Sequence, residues 1–270
     1  MFGFSILMSL YHKEHPAYLE ACLHSLQTQT LPASEIVVVF DGKLPESLEQ
    51  IVQKFTEKLP LVVVRLQQNV GLGRALNEGL KHCSNEWVLR MDTDDICLPE
   101  RFEKQIAFFQ ENPDVVLFST QVEEFDETMS SSLGIKRVPV SCEEIYSSAL
   151  LRNPFNHMAV AYKKSVIEQV GGYQHHLYME DYNLWLRVIA QQYKVYNLPE
   201  ILVKVRSGTA MYARRKGVDY IKSELQLAQL KKRLKLQSVS VAIIYFIIRS
   251  LPRLLPKSLL GKVYKKLRKG

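Results

Sequence analysis

Trp87-Val88-Leu89-Arg90-Met91-Asp92-Thr93-Asp94-Asp95 is the stretch on which the fold turns. It passes from an apolar run holding one arginine into three carboxylates within four residues. The run fits a buried strand, and the acids fit the loop leaving its carboxyl end. Upstream lie three more apolar runs, at residues 5–10, 35–40 (EIVVVF) and 61–66 (LVVVRL). Helical spacings separate them: Leu19, Leu23 and Leu26, then Leu48, Ile51, Val52 and Phe55, then Leu72, Ala75, Leu76 and Leu80. Continuous apolar strands alternating with helices predict an α/β domain, Rossmann-like, with a mostly parallel central sheet flanked by helices. In such sheets ligands lie beyond the carboxyl ends of the strands. Asp41, which follows the second run, and Asp92–Asp95 both fall at that edge.

Three carboxylates on one short loop repel each other unless a cation neutralises them. Their oxygens suit a hard divalent ion, Mg²⁺ or Mn²⁺, shared with the phosphates of a substrate. An arbitrary Asp-x-Asp is more often a solvated turn whose last aspartate caps the next helix, here expected over residues 99–109. Position favours the ion site, because the cluster follows an apolar strand directly and Asp41 ends an earlier one. Glu180-Asp181 precedes a helical pattern through Leu184, Val188 and Ile189. Read alone, such a pair caps a helix and complements its dipole. Gly171-Gly172 fits a tight turn at positive φ. His175 and His176 are adjacent, so they point apart, and solvent exposure is expected of both.

Cys22, Cys83, Cys97 and Cys142 are widely spaced with no Cys-x-x-Cys pair. They read as reduced cytosolic thiols, neither a disulfide framework nor a zinc site. The N-terminal residues 1–10 lack a basic leader and a cleavage site, so a core strand is expected there rather than a secretory signal. The longest apolar run, residues 239–248, is too short at about 1.5 Å per residue to cross a bilayer core of about 30 Å.

The formal charge of +7 conceals a division. From Ala210 onward there are 16 Lys/Arg against Asp219 and Glu224, a net of +14, and residues 1–209 carry −7. A domain over 1–210 and a helical, basic amphipathic segment over 211–270 are therefore expected. Residues 218–236 have the pattern of a helix packing back on the domain. Beyond the apolar run, Leu251, Leu255, Leu259, Val263 and Leu267 recur every four residues among basic residues without acids. Such a segment suits an anionic membrane interface; a core helix or an oligomer contact is the alternative.

The motifs LMSLYHKE (7–14), EIVVVFDG (35–42), NVGLGRALNEGL (69–80), LRMDTDD (89–95), NPFNHMAVAYKKSVIEQVGGY (153–173) and MEDYNLWLR (179–187) stand in a telling order and spacing. Together they resemble glycosyltransferase family 2, of GT-A fold, and most of all its bacterial O-antigen, capsule and exopolysaccharide enzymes. The likeness runs from about residue 5 to residue 206. It implies that Asp41 hydrogen-bonds the uracil of a UDP-sugar, with Ser9, Tyr11 and Glu14 flooring the base. Arg74 would lie near the nucleotide, although alone it reads equally as a surface ion-pair partner. Asp92 would contact the ribose, and Asp94 would hold Mn²⁺ or Mg²⁺ on the diphosphate; the role of Asp95, on the acceptor side or behind these residues, stays open. Asp181 would be the general base of an inverting transfer, with Glu180 and His157 on the acceptor side. A lone histidine before an apolar strand is more often structural, and that reading of His157 stays open.

The chain departs from the family at Ser9, where a proline is frequent, and at Lys43-Leu44-Pro45, in place of a Ser-x-Asp. It lacks the Gln-x-x-Arg-Trp motif of polymerising members, so one sugar per encounter is expected. The resemblance further implies a polyprenyl-diphosphate-linked saccharide acceptor and peripheral attachment to the cytoplasmic face of the bacterial inner membrane. A sugar-phosphate nucleotidyltransferase would need a Gly-rich loop after the first strand, which is missing. A nucleic-acid-binding protein would carry its charge on the folded domain, which is acidic instead.

Overall fold

The computed structural model describes residues 2–207 and 217–251. The first half alternates strand and helix as the periodicity predicts: β1 (Phe4–Leu10), α1 (Pro16–Gln27), β2 (Glu35–Phe40), α2 (Glu46–Phe55), β3 (Leu61–Arg65), α3 (Leu72–His82) and β4 (Trp87–Arg90). The 99–109 helix appears as α4 (Arg101–Glu111), after the two-residue β5 (Ile96–Cys97). Then come β6 (Leu117–Phe125), β7 (Ser132–Lys136), α5 (Cys142–Ser148), a 3₁₀ turn (His157–Ala159), β8 (Ala161–Lys163), α6 (Lys164–Gln169), α7 (Glu180–Ala190) and β9 (Val195–Arg206). Two C-terminal helices follow, α8 (Val218–Arg233) and α9 (Val239–Ser250).

One sheet runs β3-β2-β1-β4-β8-β6-β9-β5, with β7 beside the distal part of β6. Strands β3, β2, β1 and β4 are parallel. The other half is mixed: β6 and β9 are parallel, whereas β8, β7 and β5 run antiparallel to their neighbours. The mostly parallel expectation thus holds for the strands joined by helical crossovers. It fails where a short turn returns the chain, as between β6 and β7, because a tight turn joins only antiparallel strands.

Both faces of the central strands β1, β2 and β4 are buried, which explains their nearly uninterrupted apolar runs, whereas the edge strand β3 leaves Val62 and Val63 exposed. Phe4, Ile6, Met8 and Leu10 of β1 face one core with α1, α2 and α4. Leu7, Val37 and Val39 face the other, shared with α3, α7 and α8. Helix α3 lies close on its face at Gly79, where an added Cβ would meet Val39 Cγ2 at 2.5 Å and Leu7 Cδ1 at 2.6 Å. Helix α8 enters the same core through Tyr220, Leu227 and Leu230, so the composition change near residue 210 does not end the packed core. Among the described residues no helix is long and apolar enough to cross a membrane. Residues 252–270, with Leu255, Leu259, Val263 and Leu267, lie outside the described residues.

Candidate active site

At the carboxyl end of β2, Asp41 is buried, with 2% of its surface exposed. Its Oδ1 accepts from Val70 N at 2.7 Å, and its Oδ2 accepts from Gly71 N at 3.1 Å and Asn69 Nδ2 at 2.9 Å. The aspartate therefore latches the loop that opens α3, a task the sequence did not disclose. Gly42 permits the approach: its φ is +88°, and an added Cβ would meet Asn69 N at 2.6 Å. A carboxylate offers about four acceptor positions. Three are taken by donors among the described residues.

Ser9 is half-buried near the end of β1, and Tyr11 is exposed just beyond it. Glu14 ties this segment to the acidic loop: its Oε2 accepts from Thr93 Oγ1 at 2.6 Å and its Oε1 from His15 N at 2.8 Å. Arg74, in the first turn of α3, is exposed and forms no ion pair among the described residues, so the surface-pair reading is not met.

The loop after β4 is built around arginines. Arg90, fully buried, donates to the Asp92 carboxylate and to Met91 O. Arg101 donates to Arg90 O at 2.6 Å and so fixes the end of the strand. Asp95 is buried and accepts from Arg206 N of β9 at 2.8 Å. It caps no helix: α4 begins after Glu100, without a side-chain cap. Asp94, whose carbonyl accepts from Arg206 Nε at 3.1 Å, has no hydrogen-bond donor on its carboxylate among the described side chains. One oxygen from each of Asp92, Asp94 and Asp95 lies within 4.8 Å of the others. Burial, then the Asp92 and Glu14 carboxylates, push Asp94 up to about 7. Burial and the other two aspartates push Asp95 well up. This hard-oxygen donor set carries more negative charge than its surroundings neutralise, and it fits a divalent cation at Asp94.

Glu180 and Asp181 occupy the first turn of α7, whose N-cap is Met179 and has no side-chain cap. Asp181 Oδ2 accepts from Asn153 Nδ2 at 2.7 Å, and its Oδ1 from Tyr182 N at 2.7 Å. Burial, then Asp181, push Glu180 up to about 7. His157 Nε2 pairs with Tyr173 Oη at 2.8 Å, and the ring leans on Trp185. Burial, then Arg90, push its imidazole down to about 4, which leaves it neutral near pH 7. The two halves meet at Gly73 in α3, where an added Cβ would lie 3.3 Å from Tyr173 Cβ and 3.5 Å from Glu180 Cβ. Asn77 of α3 locks the junction, donating to Tyr173 O at 2.7 Å and accepting from Tyr173 N at 2.8 Å. The predicted positive φ occurs at Gly171 and Gly172, but their N–H groups close the end of α6 on Glu168 O and Ile167 O. His176 is a correction: it is buried between Ser223 O and Asn183 Nδ2, because α8 covers it. A polar cavity of about 270 Å³ lined by Gln174, Gln226, Gln229 and Arg233 lies beside it, and none of the site carboxylates reaches it.

Arg90, Asn153, Thr93 and Arg206 were not foreseen. An arginine within an otherwise apolar strand was the one visible signal, since a buried cation requires a counter-ion. Asn153 stands in the quoted NPFNH motif, but nothing local points it toward Asp181.

The family model of glycosyl transferase family 2 matches residues 5–171, more than half of the chain. The chain belongs to glycosyltransferase family 2. The amylovoran biosynthesis glycosyltransferase AmsE of Erwinia amylovora is 51% identical over 267 residues, covering 99% of this chain and all of AmsE. The UDP-Gal:alpha-D-GlcNAc-diphosphoundecaprenol beta-1,3-galactosyltransferase of Escherichia coli is 38% identical over 263 residues, covering 97% of this chain and 95% of that one. Among solved structures, TarS 1–349 of S. aureus in complex with UDP-GlcNAc has a TM-score of 0.70 at 21% identity. That likeness covers 93% of this chain and 72% of that one, and it shows the GT-A fold. Membership of the glycosyltransferase family decides against the nucleotidyltransferase and nucleic-acid readings.

Proposed function

We propose that this glycosyltransferase moves a single hexose or N-acetylhexosamine from a UDP-sugar to a polyprenyl-diphosphate-linked saccharide, with inversion, in surface polysaccharide synthesis. The observation that carries it is the convergence of the acidic loop after β4 with the Asn153–Asp181 pair: Glu180 and His157 each lie within electrostatic reach of both Asp92 and Asp181. The E. coli relative, whose name specifies UDP-Gal and a diphosphoundecaprenol-linked GlcNAc, supports the donor and acceptor classes.

Asp41 presents its remaining acceptor position to the base, and Ser9, Tyr11 and Glu14 line the turn beneath it. Asp92, fixed by Arg90, faces the ribose. Asp94 is the residue that would hold Mn²⁺ or Mg²⁺, and such an ion, when bound, would supply positive charge against the negative charge that develops on the departing UDP. Asp181 accepts the proton of the acceptor hydroxyl as its oxygen attacks the anomeric carbon from the face opposite UDP. Asn153 and Tyr182 N fix that carboxylate at two points, which holds one orientation for the transfer. Glu180 and neutral His157 shape the acceptor side.

Attachment is assigned to the C-terminal segment, at the cytoplasmic face of the inner membrane. Helix α9 supports this: Val239, Ile243, Ile244, Ile247 and Ile248, with Leu251 just beyond its end, are each about half exposed and lie on one side. A screen of UDP-Gal, UDP-Glc, UDP-GlcNAc and UDP-GalNAc for metal-dependent hydrolysis identifies the donor. The decisive variant is Asp181→Asn. It is expected to bind UDP as the native chain does and to lose transfer by about 10²–10⁴-fold, the range of general-base catalysis. Intact transfer would remove Asp181 as the base.

A further inference from the structure

The turn that follows α5 presents three successive carbonyls, each taken by a donor from a different later helix. Tyr182 Oη of α7 donates to Ala149 O at 2.7 Å. Lys231 Nζ of α8 donates to Leu150 O at 2.6 Å, and Arg249 Nη1 of α9 donates to Leu151 O. Carbonyls in the turn just beyond a helix lie outside its hydrogen-bond ladder and need partners from elsewhere. The donors are also joined to one another. Lys231 Nζ donates to Tyr182 Oη at 3.1 Å, and Arg249 lies 5.4 Å from the Tyr182 ring centre. Glu224, buried on α8, accepts from Arg249 Nε at 2.5 Å and Nη2 at 2.9 Å.

Two residues after Leu151 comes Asn153, whose amide grips Asp181. The turn is thus fastened by the C-terminal helices at one end and carries the group that orients Asp181 at the other. We propose that Lys231 and Arg249 are positioning residues for Asp181, so that the seating of α8 and α9 sets the geometry of the base through the turn 149–153. The proposal rests on the reading of Asp181 as general base. It gives the C-terminal segment a second task besides attachment, because α9 both presents the apolar stripe and supplies Arg249. Neither basic residue touches the reacting atoms. Both act through main-chain carbonyls.

The test uses the full chain with Arg249→Gln, Arg249→Lys, Lys231→Met and Asp181→Asn. It reads transfer kinetics, UDP affinity, and hydrogen–deuterium exchange of amides 149–155. Arg249→Gln is expected to lower the transfer kcat about tenfold, the size one charge-assisted hydrogen bond implies. UDP affinity should stay within about twofold and exchange in 149–155 should accelerate. Arg249→Lys should recover much of the loss, and Lys231→Met should repeat it if Arg249→Gln does not fold. Unchanged kcat and exchange in both variants would overturn the clamp, as would UDP affinity falling in parallel with kcat. Native-like transfer by Asp181→Asn would overturn the premise instead, and the exchange data tell the two failures apart.

Discussion

Replacing Asp41 by alanine removes one side chain and releases an entire loop. Two backbone N–H groups and the Asn69 amide converge on the carboxylate at 2.7–3.1 Å. Hydrogen bonds to a charged group are worth about 1.5–3 kcal/mol each when fully buried. Val70 and Gly71 are half-buried and Asn69 is exposed, so water replaces part of the loss. About 1 kcal/mol for each of the three is the reasonable sum, or about 3 kcal/mol in all. For a chain of this size that lowers Tm by about 6–12 °C. Asp41→Asn keeps the volume and one acceptor oxygen, but sets its NH₂ against either the Val70 donor or the Gly71 and Asn69 donors together, so it should recover only part of the loss. Scanning calorimetry gives the Tm, and a UDP titration of the same samples gives the affinity. An alanine variant melting within about 2 °C of the native chain would refute the latch. A lowered Tm with unchanged UDP affinity would keep the latch and remove the contact to the base.

Asp94→Asn relieves a buried carboxylate of repulsion from Asp92 and Glu14. It should raise Tm by a few degrees while cutting metal-stimulated turnover at least about hundredfold; near-normal turnover in Mn²⁺ or Mg²⁺ would take the metal away from Asp94. His157 is held near a pKa of about 4, whereas in the unfolded chain it protonates near 6.5. Its contribution is therefore complete above pH 6.5 and is lost as pH falls toward 4, where the unfolded chain binds the extra proton. The amount is at most about 3 kcal/mol, and urea melts at pH 7 and 4.5 should show a smaller drop for His157→Gln than for the native chain. The double variant Ile243→Glu/Ile247→Glu changes side chains 54% and 47% exposed, so the fold should persist while co-sedimentation with anionic vesicles is lost. Deletion of residues 238–270 is a poorer test of the same point, since it also removes Arg249 from Glu224.

The sequence by itself determined the parallel half of the sheet, because the central strands β1, β2 and β4 are buried on both faces and must be almost wholly apolar, and the edge strand β3 repeats their β-branched run. It also determined where the acids lie: a strand followed by aspartate puts that aspartate at the carboxyl edge whatever the rest of the chain does. The division between an acidic domain and a basic C-terminal segment is likewise a property of composition. Periodicity reports only contacts within an element and burial of its faces, so partners far apart in the chain left no trace. Asp41 meets Asn69–Gly71, Asp181 meets Asn153, Asp95 meets Arg206, and the turn after α5 meets Lys231 and Arg249 across 28 to 111 residues. The mixed half of the sheet belongs to the same class, since strand direction there depends on which turns close. The burial of His176 follows from α8 crossing over it. Which carboxylates are free, held or repelled was settled by those long-range bonds, since a group's protonation and orientation depend on what the tertiary fold places within a few ångströms of it.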